Sequence, residues 1–329
     1  MKTAARLLTC TLLLSSACRT TTDTGVTYAE LAATRHPADL LVRAEGEPRA
    51  IVRIGRDFYA AGATLEDFRT IQLDVRGGVP VIAFAGGDVL ISTGDVEVVG
   101  PKAMPRVQQT SRLWRAGTGG NPLFVTTDYM LGSFVSRGVG FALAIYFDST
   151  QRLDQRFGTA LLRIEDGVTG SMPLAGFNAA TLITIDPVTD IAVVLGQRPA
   201  GDAEEWGLFY LEGVERRAML FEARVVAPAF SADGVALAYA WKPDSDLARA
   251  GDDLHDGPFG RVSWIDRSTD AGRHIDTGLN VVACAFDPLA SHRLLVLGRT
   301  PNGAKSRWQL LTIESRKRGL VIAGRETLP

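Results

Sequence analysis

Acidic side chains crowd one stretch of this chain. Between Lys242 and Gly260 stand Asp244, Asp246, Asp252, Asp253 and Asp256, interleaved with Gly251 and Gly257 and framed by Trp241 and Phe259. Carboxylates gathered on a flexible loop are the donor type calcium takes, since that ion collects about six to eight oxygen ligands. The spacing is not that of an EF-hand: Asp244-Ser245-Asp246 is not followed by the glycine and distal glutamate that such a loop requires. A solvated hairpin loop is the alternative reading, with Trp241 and Phe259 either packing its base or offering a contact surface. Apart from that calcium, no cofactor is expected.

The rest of the chain offers little covalent chemistry. Four histidines, His36, His255, His274 and His292, stand too far apart to form a metal pair one helical turn apart. There is no Gly-x-Ser-x-Gly elbow for a nucleophilic serine. Gly117-Thr118-Gly119-Gly120-Asn121 lacks the lysine and hydroxyl residue of a phosphate loop and reads as a turn. Cys284 sits in the apolar run Val281 to Phe286 and reads as a small buried hydrophobe rather than a reactive thiol. No catalytic residue emerges.

Short apolar or alternating segments separated by Gly, Pro, Asp and Asn fill most of the chain. Val79 to Phe84, Val89 to Ser92, Phe141 to Phe147, Thr181 to Ile185, Ile191 to Leu195, Val235 to Tyr239 and Leu294 to Leu297 are each of strand length. That pattern predicts an all-β domain with little helix. One unit recurs: an apolar strand, a polar turn, and a second apolar strand. Its clearest copy runs from Val225 to Tyr239 around Asp233-Gly234, where Gly accepts positive φ and Asp bonds its own turn backbone. Looser copies turn through Asp186 to Asp190 and Asp287 to Ser291, and fainter ones near Asp74 to Gly78 and Ser136 to Gly140. The recurrence is roughly every fifty residues, the length of a four-stranded propeller blade with its loops. With Ala38 to Thr70 as one more unit, the expectation is a β-propeller of six four-stranded blades over residues 38–329.

Phe230-Ser231-Ala232-Asp233-Gly234 followed by Leu237-Ala238-Tyr239 resembles the TolB-like β-propeller repeat, an aromatic, Ser-Pro-Asp-Gly and an apolar strand, with Ala232 in place of Pro. The resemblance implies a six-bladed exported propeller. It does not extend to the separate N-terminal α/β domain of TolB itself, for which the chain has no room.

The N-terminus reads as an export signal. Lys2 and Arg6 precede an apolar run through Leu12, Leu13 and Leu14, and Ser15-Ser16-Ala17 leads into Cys18. The run is too short to span a bilayer. Residues 1–17 resemble a bacterial lipoprotein signal peptide, which implies lipidation of Cys18 and attachment to the cell envelope, the outer membrane being the default. Cleavage by ordinary signal peptidase at the same small-residue site is the other reading, and it leaves Cys18 free. Residues 18–37, with a Thr-rich stretch after Cys18, form a tether. Once Cys10 leaves with the signal, Cys18 and Cys284 are the mature cysteines, so the fold is held by its core rather than by disulfides. The whole chain carries 35 basic against 37 acidic residues. With no basic stripe interleaved with aromatics, nucleic acid is not an expected partner.

These features together give the expectation of a lipid-anchored binding or scaffold module for an envelope protein or extracellular ligand, with contact through the Lys242 to Gly260 loop. The alternative is a metal-dependent hydrolase of lactonase type, in which carboxylates from several blades converge on an ion.

Overall fold

The computed structural model describes residues 38–45, 49–54, 57–61, 68–70, 81–85, 88–99, 106–115, 124–126, 129–137, 139–147, 157–165, 168–173, 179–200, 203–212, 215–221, 225–241, 260–300 and 307–328. Among them every regular element is a strand. The first sheet holds β1 (Ala38–Val42), β2 (Ala50–Ile54), β3 (Asp57–Ala61) and β4 (Phe68–Thr70). The second holds β5 (Val81–Ala85), β6 (Asp88–Val99), β7 (Arg106–Arg115) and β8 (Phe124–Thr126). The third holds β9 (Tyr129–Arg137), β10 (Val139–Phe147), β11 (Phe157–Glu165) and β12 (Val168–Pro173). The fourth holds β13 (Ala179–Ile185), β14 (Ala192–Ala200), β15 (Ala203–Glu212) and β16 (Glu215–Phe221). The fifth holds β17 (Val225–Phe230), β18 (Ala236–Trp241), β19 (Arg261–Asp266) and β20 (Ala271–Asp276). The sixth holds β21 (Asn280–Asp287), β22 (Ala290–Arg299), β23 (Trp308–Arg316) and β24 (Gly319–Thr327).

In each sheet the four strands pair antiparallel in chain order. The first strands of consecutive sheets pack on one another, from β1 on β5 through β17 on β21, and β21 in turn packs against β1. Sheets set side by side around their first strands make an all-β propeller. Within a meander the first and third connections share one end of the strands. The second connection and the crossing to the next sheet share the other. These are the turn end and the crossing end below.

Alternation explains how sheets whose faces are both covered can stack. On β18 Ala236, Ala238 and Ala240 face the sixth sheet, while Leu237 and Tyr239 face the fourth, so successive side chains enter two different cores. The small alanines leave room for Trp264, which meets Phe286 edge-to-face at 4.7 Å between ring centroids. The sixth sheet divides in the same way. Leu294, Val296, Leu311 and Ile313 pack on the fifth sheet, whereas Leu295, Leu297 and Leu310 pack with Ala38, Ala50 and Val52 of the first. At about 1.5–3 kcal/mol for each large aliphatic side chain buried, these shared cores bind sheet to sheet.

The first strands of the third to sixth sheets each carry a register shift, at Leu131/Ser133, Ala180/Leu182, Val226/Ala229 and Val281/Ala283. In β17 the shift brings Ala227 to φ 50°, a conformation that a non-glycine residue adopts at a cost. An extra residue in one strand of a pair bends and twists it, which curves these strands where they meet their neighbours.

The hairpins expected around Asp186, Asp233 and Asp287 are the first turns of the fourth, fifth and sixth sheets. The one expected near Ser136 is the first turn of the third, closing between Arg137 and Val139. The expectation of a matching hairpin at Asp74 to Gly78 is corrected. The equivalent first turn of the second sheet closes between Ala85 and Asp88, one strand further on, while residues 71–80 are outside the described residues. The Asp-containing stretch before β5 offers local turn chemistry, but the pairing of β5 with β6 puts the first turn of this sheet after β5.

Candidate functional site

Cys18, Asp244, Asp246, Asp252, Asp253, Asp256 and Phe259 all lie outside the described residues. Trp241 is the last residue of β18, its backbone paired with Arg261 of β19, so the Lys242 to Gly260 loop leaves and re-enters the fifth sheet at the crossing end. The re-entry point is firmly held. Gly260 O accepts hydrogen bonds from the backbone N of Thr277 at 2.8 Å and from its Oγ1 at 2.6 Å. Thr277 Oγ1 accepts in turn from Leu279 N at 3.2 Å, and Arg325 of β24 donates to Thr277 O at 3.2 Å. A loop carried on so fixed a stem can vary without disturbing the sheets.

At the turn end the repeat turn is built as its sequence implies. Gly234 adopts φ 71°. Asp233 Oδ1 accepts from Val235 N at 3.1 Å and from Ser231 Oγ at 2.6 Å, while Ser231 Oγ accepts from Ala236 N at 2.8 Å. The Ser231 bond chiefly holds the Asp233 carboxyl below its ordinary range, against a smaller opposing effect of burial, with Val235 N–H and Ser291 of the neighbouring turn adding to it.

A second group was not legible in the sequence. Asp186, fully buried, caps its own turn by accepting from Val188 N at 3.0 Å, and its other partners come from elsewhere. Arg267, in the β19–β20 turn, donates Nη1 to Asp186 Oδ1 at 2.9 Å and Nη2 to Oδ2 at 2.6 Å, and Tyr210 of β15 donates its hydroxyl to Oδ2. The guanidinium also donates to Gly234 O at 3.0 Å and stands 5.2 Å from the centre of the Phe230 ring. Burial alone would raise the Asp186 pKa; the Arg267 and Tyr210 bonds and the Val188 N–H outweigh it and bring it down to about 2. Asp287 takes the same place in the sixth sheet. It accepts from Leu289 N at 3.0 Å, pairs with Arg49 of the first sheet at 2.5 Å, and lies 3.6 Å from Arg293.

Chemically these groups are committed to one another. A carboxylate kept ionised by a bidentate guanidinium and a phenol is a poor proton donor, and its lone pairs are already occupied. They act as bolts between adjacent sheets. One nucleophile and base of the right types also meet: Ser263 Oγ and His274 Nδ1 share a hydrogen bond at 2.8 Å. Ser263 is wholly buried, however, so its oxygen has no face to offer a substrate, and the pair ties β19 to β20. Eleven residues and a turn separate the two in sequence, and no motif marks them. His292 is exposed on β22. Cys284 is half-buried against the core between the fifth and sixth sheets, and burial pushes its thiol pKa up. Among the described residues no three His, Cys, Asp or Glu side chains come together as a metal site.

No family model matches the chain, and no curated protein matches it. Solved structures share its trace loosely. Hydrazine synthase of Kuenenia stuttgartiensis is 11% identical, with 80% of this chain and 92% of that one covered at a TM-score of 0.46. Oligogalacturonate lyase of Vibrio parahaemolyticus is 10% identical, with 82% and 75% covered at 0.45. The β-propeller domain of the Trilobed protease from Pyrococcus furiosus is 9% identical, with 59% and 54% covered at 0.34. The fold assignment rests on the sheet order and packing of this chain.

Proposed function

We propose that this chain is a lipid-anchored protein of the cell envelope whose TolB-like propeller, six-bladed and closed between its last and first sheets, binds a protein or an extracellular ligand. The observation that carries the reading is a propeller preceded by a signal-like N-terminus ending in Cys18, with its described buried carboxylates engaged in holding sheets together rather than exposed for chemistry. The packing of β21 on β1 supports closure, which also removes the free strand edges that invite aggregation.

Contact is assigned to the loop from Lys242 to Gly260, with Trp241, Asp244, Asp246, Asp252, Asp253, Asp256 and Phe259 as its candidate residues. Deleting Ser245 to Asp256 leaves the fold intact, as read by circular dichroism, and abolishes capture of the partner from envelope extract. Capture that survives the deletion removes the loop from the reading. Replacing Cys18 by Ala moves the protein out of the membrane fraction, and mass spectrometry of the native N-terminus distinguishes a lipidated cysteine from a free one. Turnover of a lactone or ester that is lost when the loop aspartates are replaced would convert the reading to a metal-dependent hydrolase.

A further inference from the structure

We propose that the turn end of the sixth sheet, together with the adjoining first turn of the fifth, docks an acidic protein segment bearing aliphatic side chains. The surface lies at the opposite end of the strands from the Lys242 to Gly260 loop and is a second site, not a restatement of the first.

Three exposed aliphatic side chains mark it. Val188 is 63% exposed, Val235 50% and Leu289 66%, and they stand at the outer part of the first turn in three consecutive sheets. Each turn already has its backbone bonded to its own aspartate, so nothing in the local hairpin requires an aliphatic residue there. The turns adjoin one another. A Cβ at Gly234 would lie 2.3 Å from Val188 Cγ2, and Asp233 reaches Ser291 beside the Leu289 turn. Scattered exposed valines need no explanation; an exposed aliphatic residue two positions after the turn aspartate in each of three consecutive sheets does.

Positive charge collects on the sixth sheet beside this row. Its third turn exposes Arg316, Lys317 and Arg318, and Arg273 crosses from β20 to donate to Arg316 O at 2.8 Å and Ser315 Oγ at 3.2 Å. Arg293 and Arg49 flank Asp287. Glu314 answers Arg316 at 3.0 Å and Arg293 at 3.5 Å, so at this end of the sixth sheet the two carboxylates Asp287 and Glu314 stand against the four cationic side chains Arg293, Arg316, Lys317 and Arg318. The turns of the fifth sheet carry Asp233, Asp266 and Asp270 instead, which gives the surface a polarity. A partner segment would place its acidic residues over Lys317 and Arg318 and its aliphatic residues over Leu289 and Val235.

The aliphatic row favours a protein segment over a plain polyanion. The choice of protein over membrane rests on the lipid-anchored reading, because β1 begins at the crossing end and its tether therefore joins the propeller on the side away from this surface.

The test uses the exported protein, held in neutral phosphatidylcholine nanodiscs where its N-terminus carries lipid, and a fluorescein-labelled peptide of alternating glutamate and leucine. Anisotropy should show saturable binding that weakens about tenfold or more for Lys317→Glu with Arg318→Glu, and about fivefold for Leu289→Ser. Circular dichroism and thermal midpoints check that both variants fold, and Lys317→Ala with Arg318→Ala supplies a milder version of the first. Absence of saturable binding overturns the proposal, as does binding that neither substitution changes. Equal affinity for a glutamate and serine peptide would mark a plain polyanion patch, and displacement by phosphatidylglycerol vesicles would mark a membrane contact; either outcome also overturns it. Deleting Ser245 to Asp256 should leave the peptide affinity unchanged, so this surface and the crossing-end loop can fail separately.

Discussion

Arg267 closes on Asp186 with two nearly matched hydrogen bonds, 2.9 Å and 2.6 Å, although 81 positions separate them in the chain. The carboxylate belongs to the first turn of the fourth sheet and the guanidinium to the third turn of the fifth. Planar fork meets planar carboxylate, a geometry that lysine cannot reproduce. The contact therefore fixes how two sheets stand relative to each other as well as joining them.

Arg267→Ala should destabilise the protein by about 3 kcal/mol in urea unfolding near neutral pH, because it strands a buried carboxylate with its cation removed. Arg267→Lys should restore only part of that loss. A change within about 0.5 kcal/mol for the alanine variant would show that the pair is solvated and unimportant.

Acid stability should report the same carboxyl. The folded Asp186 pKa, about 2, lies below its ordinary 3.8, so the unfolded chain takes up the proton first as pH falls. The stabilisation is fully present above the ordinary value and is lost as pH drops from there toward 2. Asp186→Asn should flatten the fall in stability across that window, as followed by denaturant midpoints at successive pH values. An unchanged slope would assign acid sensitivity to other groups.

Gly234→Ala combines two penalties. Backbone φ of 71° costs a residue with a Cβ about 1–2 kcal/mol, and the new methyl meets Val188 Cγ2 at 2.3 Å. Adding Val188→Ala to it should recover the clash and leave the backbone cost. Complete recovery in thermal melts of the double variant would show that the turn tolerates positive φ without glycine.

Arg49 and Asp287 test the contact between first and last sheets, with 238 positions between them in sequence. A double-mutant cycle through Arg49→Ala and Asp287→Ala should return a coupling of about 1–3 kcal/mol. Additive effects would mean that the pair does not hold this seam and that the Leu295, Leu297 and Leu310 core does so alone.

Cys284 should react with iodoacetamide far more slowly in the folded protein than after unfolding in urea, because burial raises its thiol pKa and thins the thiolate population. Alkylation at the rate of a free thiol under native conditions would place it in an open environment.

Much of the scaffold was legible because its signals are local. Asp233-Gly234 dictates a hairpin through positive φ and a carboxylate that bonds its own turn, and both forces act within four residues. Ala236 to Ala240 alternates small with large, which already says that the strand has two different faces. Asp186-Pro187 and Asp287-Pro288 were visible as turns for the same reason. The second sheet shows the limit: Asp74 offered turn chemistry in the wrong place, and only strand pairing put the hairpin between Ala85 and Asp88.

By itself, then, the sequence determined the all-β class, the recurring hairpin and the positions of most first turns, since backbone preference and side-chain alternation are properties of neighbours in the chain. Only the tertiary structure decided that Asp186 would receive Arg267 and Tyr210, that Arg49 would reach Asp287, and that Val188, Val235 and Leu289 would share one surface. Those relationships depend on how whole sheets stack, and stacking is settled by the shape of two apolar faces packed together, which no short stretch of residues encodes.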